Sequence, residues 1–291
     1  MNPFHTMADL ASRELLDAGQ AKPARLAVLG CPISHSASPV MHQAALDAAG
    51  MAARYVRLEV PAGKVAAALG RLRELGFIGC NVTVPHKLEV MAACDEVAAT
   101  ATMLGAVNTV RFDADATRGF NTDGPGFVRS LAAEFRLALA GRRVAILGAG
   151  GGAGQALAAQ CVLEGVAGLV LVNRTEAKLA ALMAHLQGLG PRVEILPLAF
   201  HSAALAEACL GCDLIVNASS LGLKPGDAAI LPLACLKPEH WVYDCIYQPP
   251  VTPLLAAAAA LGCRHANGRS MLLHQGALAF QQWFPGTEPL A

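Results

Sequence analysis

Apolar positions along the chain come in short blocks that switch between two spacings. Blocks rich in aliphatic and β-branched residues at 25–30 (RLAVLG), 53–60 (ARYVRLEV) and 78–84 (IGCNVTV) have the length and composition of strands. Between them, SPVMHQAALDAAG and PAGKVAAALGRLRELG read as helices, the second with Pro61 near its start and Gly76 at its end. A second series of strands is expected at 142–148, 168–173, 192–196, 213–218 and 241–246, again separated by helical stretches. This alternation argues for parallel sheets and an α/β fold, because a parallel pair needs a crossover long enough to hold a helix. The two series flank a helical stretch at 124–140, which predicts two domains. A last helix is expected over 270–284, with Leu272, Leu273, Leu278 and Phe280 as apolar positions and Pro285 beyond its end. The first 24 residues read as a frayed extension or a short helix, with Met7 as an alternative start.

Composition then excludes several classes of function. Of 291 residues 54% are hydrophobic, which rules out a disordered chain and is ample for two cores. The 22 basic and 22 acidic residues cancel, leaving no electrostatic footprint for nucleic acid or an anionic membrane. The longest apolar run, 254–263, falls well short of the ~20 residues of a spanning helix, so no membrane partner is expected. The opening segment carries acids and no continuous apolar stretch, unlike a secretory signal. Nine cysteines, an odd number set mostly in apolar sequence, suit reduced, core-filling thiols of a cytoplasmic protein. Cys209 and Cys212 form a CxxC without a second ligand pair, so no metal is expected.

The strongest chemical signal is RRVAILGAGGGAGQALAAQ, a strand, a glycine loop and a helix in direct succession. Gly148 suits a tight turn and Gly150 a close backbone approach to a pyrophosphate. Ala153 and Gly154 suit close helix–strand packing, with the phosphates at the helix N-terminus. A glycine pattern alone often marks only a turn, but here a second strand follows and ends at Asn173. An NAD site wants a carboxylate there for the ribose hydroxyls, whereas this chain has Asn173, Arg174 and Thr175, with Lys178 a turn later. Arg174 can fork onto a 2′-phosphate that a carboxylate would repel, which favours NADP over NAD; Thr175 can also be an ordinary helix cap.

In the front half, Ser34, Ser36 and Ser38 share one loop before a helix, where hydroxyls can hold a carboxylate. The plainer alternative makes Ser38 an N-cap with Pro39 at the first helical position. Asn81 and Thr83 alternate onto one strand face, with Lys87 just beyond the strand. Asn108 and Asp123 lie on turns after short apolar strands, and Asp123 can equally cap the helix that follows.

Taken together, GCPISHSASPVMH, GCNVTVPHK, GAVNT, NTDG, GAGGGAG, NRTEAK, NASSLG, VYDCIYQPPVTPLL and NGRSMLLHQGALAF resemble the shikimate dehydrogenase family, in that family's order over residues 26–284. The resemblance implies an N-terminal extension (1–24), an α/β substrate domain (25–122 plus 268–291) and a Rossmann domain (123–267), the final helix returning to the first domain. It implies NADP(H)-linked, reversible reduction of the ketone of 3-dehydroshikimate to shikimate by a monomer or homodimer. Lys87 and Asp123 would be the catalytic pair and Ser36 and Ser38 would bind the substrate carboxylate. Asn81, Thr83, Asn108 and Gln275 would bind ring hydroxyls, and Tyr247 would face the substrate. Cofactor contacts would fall on Gly148, Gly150, Gly151, Gly152, Ala153, Asn173, Arg174, Thr175, Lys178, Ala218, Ser219, Gly268 and Met271.

This chain departs from the family pattern in two places. Its glycine loop is one residue longer than the common GAGGAxR form. Gly268-Arg269-Ser270 stands where a bulkier apolar residue and a second glycine are expected near the nicotinamide. Quinate/shikimate dehydrogenases and a shikimate-dehydrogenase-like subgroup share the remaining motifs. Asn173-Arg174 argues against the NAD-preferring quinate branch, and the Ser36/Ser38 pair leans toward shikimate. Two other classes stay open: a non-catalytic dinucleotide-binding sensor, and a different two-domain dehydrogenase. The Lys87/Asp123 pair argues against the first and the serine cluster against the second.

Overall fold

In the computed structural model, which describes residues 4–175 and 177–287, the first series of apolar blocks forms one seven-stranded sheet. In chain order its elements are β1 (His5–Thr6), α1 (Arg13–Asp17), β2 (Ala24–Gly30), α2 (Ser38–Ala48), β3 (Arg54–Glu59) and α3 (Val65–Glu74). Then follow β4 (Gly79–Val82), α4 (Glu89–Ala92), β5 (Glu96–Val97), α5 (Ala99–Leu104), β6 (Thr109–Phe112) and β7 (Thr117–Phe120). The strands lie in the order β1-β3-β2-β4-β6-β7-β5. The four from β1 to β4 are parallel, as the alternation predicts, but β6 runs antiparallel to both β4 and β7. The sheet is therefore mixed. The cause is the short link from β6 to β7, closed by the Asp113 N–H on the Ala116 carbonyl at 2.9 Å, which can join only antiparallel neighbours.

From residue 4 onward the opening segment is ordered rather than frayed and carries the short helix expected as the alternative, α1. β1 pairs with β3, and Leu10 and Leu16 are each 1% exposed in the core beneath the sheet. Helix α3 begins at Val65 rather than near Pro61, and β4 ends at Val82, so Thr83 stands in the turn beyond the strand that holds Asn81. Alternation splits β3 between two cores, Val56 and Leu58 packing on one face and Tyr55 on the other with Leu46 and Trp283.

The second series forms a sheet of six strands, all parallel, in the order β10-β9-β8-β11-β12-β13. Its elements are α6 (Asp123–Phe135), β8 (Arg143–Leu147), α7 (Gly152–Leu163), β9 (Gly168–Asn173), α8 (Ala177–Leu189), β10 (Glu194–Ala199) and α9 (Leu205–Leu210). They continue with β11 (Leu214–Asn217), β12 (Trp241–Asp244), α10 (Pro253–Ala260), β13 (Arg264–Asn267) and α11 (Arg269–Trp283). Central strands of such a sheet are covered on both faces, so they read as unbroken apolar runs, here VAIL and LIV. One face packs Leu147, Val172, Ile215 and Val242 against Leu205, Cys209 and Leu254; on α6, Phe127 meets Tyr243 edge-on at 5.5 Å. β10 runs later than the expected 192–196, its register with β9 reaching Ala199 opposite Asn173.

Two compact units result, one made of the chain up to Thr122 together with Gln275 onward, the other of Asp123–His274. The boundary falls inside α11, so residues 268–274 belong to the second unit. All nine cysteines are free, and Cys80, Cys161, Cys209, Cys212, Cys235 and Cys263 are buried. Among the described residues no helix is long and apolar enough to cross a membrane, and no cluster of His, Cys, Asp or Glu could hold a metal.

Candidate active site

In the first unit the carboxyl ends of β2 and β4 lead into the two loops that carry the front-half motifs. The loops are tied at their roots, the Thr83 N–H donating to the Leu29 carbonyl at 2.8 Å and the Cys31 N–H to the Val84 carbonyl at 3.1 Å. A side chain at Gly30 would place its Cβ 2.6 Å from Thr83 Cγ2, so only glycine lets Thr83 lie against this loop. Ser34 and Ser36 are partly buried in the turn and Ser38 is buried. Ser38 is not an N-cap. The cap residue of α2 is Ala37, which makes no side-chain cap bond, while the Ser36 hydroxyl accepts the Ser38 N–H at 3.3 Å. From β3, Arg57 donates through Nε and Nη2 to the Ser36 carbonyl at 3.1 and 2.7 Å.

Below these loops lies a buried array of amides and hydroxyls. Asn81, 5% exposed, accepts the Tyr55 hydroxyl at 2.7 Å and donates to Thr109 Oγ1 at 3.0 Å and the Asn108 carbonyl at 3.3 Å. Asn108 donates to Thr122 Oγ1 at 3.0 Å and accepts the Thr122 N–H at 2.8 Å, and Thr122 Oγ1 reaches Gln275 Oε1 at 3.5 Å. Asn81, Asn108 and Gln275 are thus brought together, joined by Tyr55, Thr109 and Thr122, which the sequence reading did not single out. Each has a plain sequence appearance, a Tyr or Thr in a strand or turn, and only the fold shows that its hydroxyl is needed to satisfy a buried amide. Lys87 is partly buried in the loop after β4, and its carbonyl accepts the Val107 N–H at 3.1 Å, anchoring it beside Asn108 in the chain. Asp123, 5% exposed, begins α6 directly after Thr122.

The second unit holds the dinucleotide-type elements. Gly148 has φ +82°, and a Cβ there would strike Ser219 at 2.7 Å. A Cβ on Gly154 would lie 2.4 Å from the Gly148 carbonyl oxygen, so Gly154 lets α7 start against the loop. At Gly150 the missing side chain makes room for Asn173, whose Nδ2 would be 2.6 Å from a Cβ. Asn173 in turn accepts the Gly150 N–H at 3.3 Å and donates to the Thr175 carbonyl at 2.7 Å. Gly151 is the exposed position, with only the Gly148 carbonyl 3.5 Å from its would-be Cβ. Gly152 and Ala153, partly buried, open α7, whose first-turn N–H groups have no intrahelical acceptors. Arg174, Thr175 and Lys178 are exposed after β9, whose last residue is Asn173. The cap assignment of Thr175 involves Glu176, outside the described residues.

At the neighbouring strand ends, the Ala218 N–H donates to the Leu147 carbonyl at 2.9 Å, and Ser219 bonds Asn217 Oδ1 through both its N–H and its hydroxyl. Gly268 is fixed by contact, since a Cβ would lie 2.1 Å from the Cys245 carbonyl oxygen. Met271 is buried, Tyr247 partly buried, and Arg269 exposed at the start of α11 with its N–H on Asn267 Oδ1 at 3.1 Å. The exposed backbone at Gly151, a helix N-terminus beyond it and an exposed arginine at the next strand end fit a phosphorylated dinucleotide.

The family described as the shikimate dehydrogenase substrate binding domain matches residues 28–110. A shikimate dehydrogenase (NADP(+)) of Moorella thermoacetica is 42% identical over 91% of this chain and 90% of its own length. The crystal structure of a shikimate 5-dehydrogenase from Thermus thermophilus in complex with NADP(H) and shikimate superposes with a TM-score of 0.78 at 34% identity, covering 91% of this chain and 95% of that one. A quinate dehydrogenase from Corynebacterium glutamicum in complex with NAD gives a TM-score of 0.80 at 34% identity, covering 91% and 94%.

Proposed function

The chain belongs to the shikimate dehydrogenase family, and from that premise we propose that it is an NADP-dependent oxidoreductase interconverting 3-dehydroshikimate and shikimate. The observation that carries this reading is the buried array of Asn81, Thr109, Asn108, Thr122 and Gln275 beside the anchored Lys87 loop. Such an array suits a polyhydroxylated ring, whose hydroxyls need donors and acceptors in fixed directions. NADP(H), held at the glycine loop, supplies the hydride in one direction and accepts it in the other.

Hydride addition to the ketone carbon leaves an alkoxide, and the Lys87 ammonium stabilises that charge and delivers the proton to the oxygen. In the oxidation direction, Lys87 in its neutral form removes the hydroxyl proton as the hydride departs. Asp123 holds the lysine and a neighbouring hydroxyl in register, while Ser36 and Ser38 hold the carboxylate. Arg174 takes the 2′-phosphate.

The test is turnover of shikimate and of quinate with NADP⁺ and with NAD⁺, followed by the absorbance of the reduced nicotinamide. Turnover of shikimate with NADP⁺ is expected to exceed the other three combinations. Quinate with NAD⁺, the pairing suggested by the Corynebacterium glutamicum protein, is the rival. Lys87→Ala is expected to lower kcat by ~10²–10⁴ with NADP⁺ binding retained. Absence of turnover in all four combinations would leave a dinucleotide-binding sensor.

A further inference from the structure

Strand β3 alternates Tyr55, Arg57 and Glu59 on one face with Val56 and Leu58 on the other. Tyr55 is committed to the Asn81 amide. Arg57, one pleat nearer the carboxyl end, is partly buried and places two donors of its fork on a single neutral acceptor, the Ser36 carbonyl. Arg13, Arg54, Arg71, Arg73, Arg111 and Arg118 of the same unit each pair with a carboxylate. Arg57 has no such partner among the described residues, and Glu59 on the same face does not come within ion-pair distance of it.

The physical consequence is specific. A carbonyl satisfies the guanidinium's hydrogen bonds but not its charge. The positive charge therefore stands immediately behind the turn that carries Ser36 and Ser38. Serine hydroxyls alone do not distinguish a carboxylate from a neutral acceptor such as an ester. A partly desolvated cation fixed to the same turn does, because Coulomb attraction strengthens as water is excluded. The same bonds hold the turn itself, in which Ser36 N–H donates to the Ile33 carbonyl at 3.1 Å and the Ser36 hydroxyl accepts from Ser38.

We propose that Arg57 is the positioning and charge-selecting residue of the carboxylate subsite, fixing the Ser36–Ser38 turn through the Ser36 carbonyl and making that turn prefer an anion to its neutral analogue. This rests on the assignment of Ser36 and Ser38 to the substrate carboxylate.

The experiment compares shikimate with its methyl ester in the full chain carrying Arg57→Gln or Arg57→Lys. Wild-type turnover of shikimate is the control and tests the underlying function; the ratio of the two substrates tests Arg57. For Arg57→Gln, KM for shikimate is expected to rise about tenfold while KM for the ester moves about twofold or less, with KM for NADP⁺ unchanged. Arg57→Lys, which keeps the charge but not the fork, is expected to retain most of the preference for shikimate while KM rises for both substrates. Equal changes for shikimate and ester in Arg57→Gln would overturn the proposal by reducing Arg57 to a loop brace. If that variant does not fold, loss of the preference in Arg57→Lys overturns it and retention supports it.

Discussion

Asn217 and Asp244 are direct register partners at the carboxyl ends of adjacent parallel strands, and the Asn217 amide donates to Asp244 Oδ1 at 3.0 Å. Both residues are 0% exposed. Asp244 also accepts the Ile246 N–H at 3.0 Å and the Thr252 hydroxyl at 2.6 Å, and Thr252 caps α10 through its contact with the Leu255 N–H. Burial raises the Asp244 carboxyl pKa, opposed by these donors. Asn217 passes the order on to Ser219, which lies against Gly148 in the glycine loop. Asp244→Asn turns one acceptor of this cluster into a donor facing donors. It is expected to cost ~1–3 kcal/mol in denaturant unfolding and to weaken NADP⁺ binding as the Ser219 loop loosens. Unfolding and NADP⁺ titration curves matching wild type would show that the carboxylate is dispensable.

Cofactor choice is expected to reside in Arg174, exposed at the end of β9. Arg174→Ala removes a charge-assisted bond worth ~1.5–3 kcal/mol. The Michaelis constant for NADP⁺ should rise roughly ten- to hundredfold while that for NAD⁺ barely changes. An equal loss for both cofactors would assign Arg174 to the loop rather than to the 2′-phosphate.

Much of this architecture was legible because the sequence carries its physical causes locally. The parallel strands of the second unit read as apolar runs because both of their faces are covered, and β9 spans Gly168–Asn173 as expected from 168–173. Strands β6 and β7 are poorly legible: Asn108 is expected on a turn after a short apolar strand, whereas β6 begins at Thr109 just beyond it, because TVRF and TRGF mix polar and apolar residues and owe their state to pairing with β4 and each other. Ser36 and Ser38 could be named from their clustering, but the brace from Arg57 could not. It joins residues separated by β3's approach in the chain and depends on which face of that strand points at the loop. Asn217 and Asp244 were equally hidden, because polar residues at strand ends become partners only once the strand order is known.

Gly154 is the glycine whose replacement should do most damage to the cofactor loop. Its would-be Cβ meets backbone, the Gly148 carbonyl oxygen at 2.4 Å and the Ala149 Cα at 2.8 Å, and backbone cannot step aside as a side chain can. Gly150→Ala meets side chains instead, the end of Asn173, which can rotate, and the Lys178 Cβ at 3.0 Å. NADP⁺ binding by isothermal titration should therefore weaken far more in Gly154→Ala than in Gly150→Ala. The reverse order would place the close backbone approach at Gly150, where the glycine pattern first suggested it.

His42 should set part of the acid limb of stability. It is 1% exposed, stacked on Tyr55 at 4.6 Å and edge-on to Trp283 at 5.1 Å. Burial lowers its pKa to about 3, opposed by the Asn81 side chain, and its Nε2 has no hydrogen-bond partner among the described residues. An unfolded imidazole titrates near ~6.5. Above that value both states are neutral and His42 adds no pH dependence. As pH falls below it, the unfolded chain gains a proton that the folded chain refuses until about pH 3. Stability present above the unfolded pKa is thus lost progressively on acidification, at ~1.4 kcal/mol per pH unit for this one group. His5, His240 and His274, also lowered chiefly by burial, act in the same direction. His42→Phe keeps the stacked ring and removes both the titration and the unpartnered nitrogen. Its unfolding free energy near neutral pH should equal or exceed wild type, and its decline from about pH 6.5 to about pH 5 should be shallower by roughly one proton's worth. Parallel declines for the two proteins would mean that folded His42 accepts its proton as readily as the unfolded chain does.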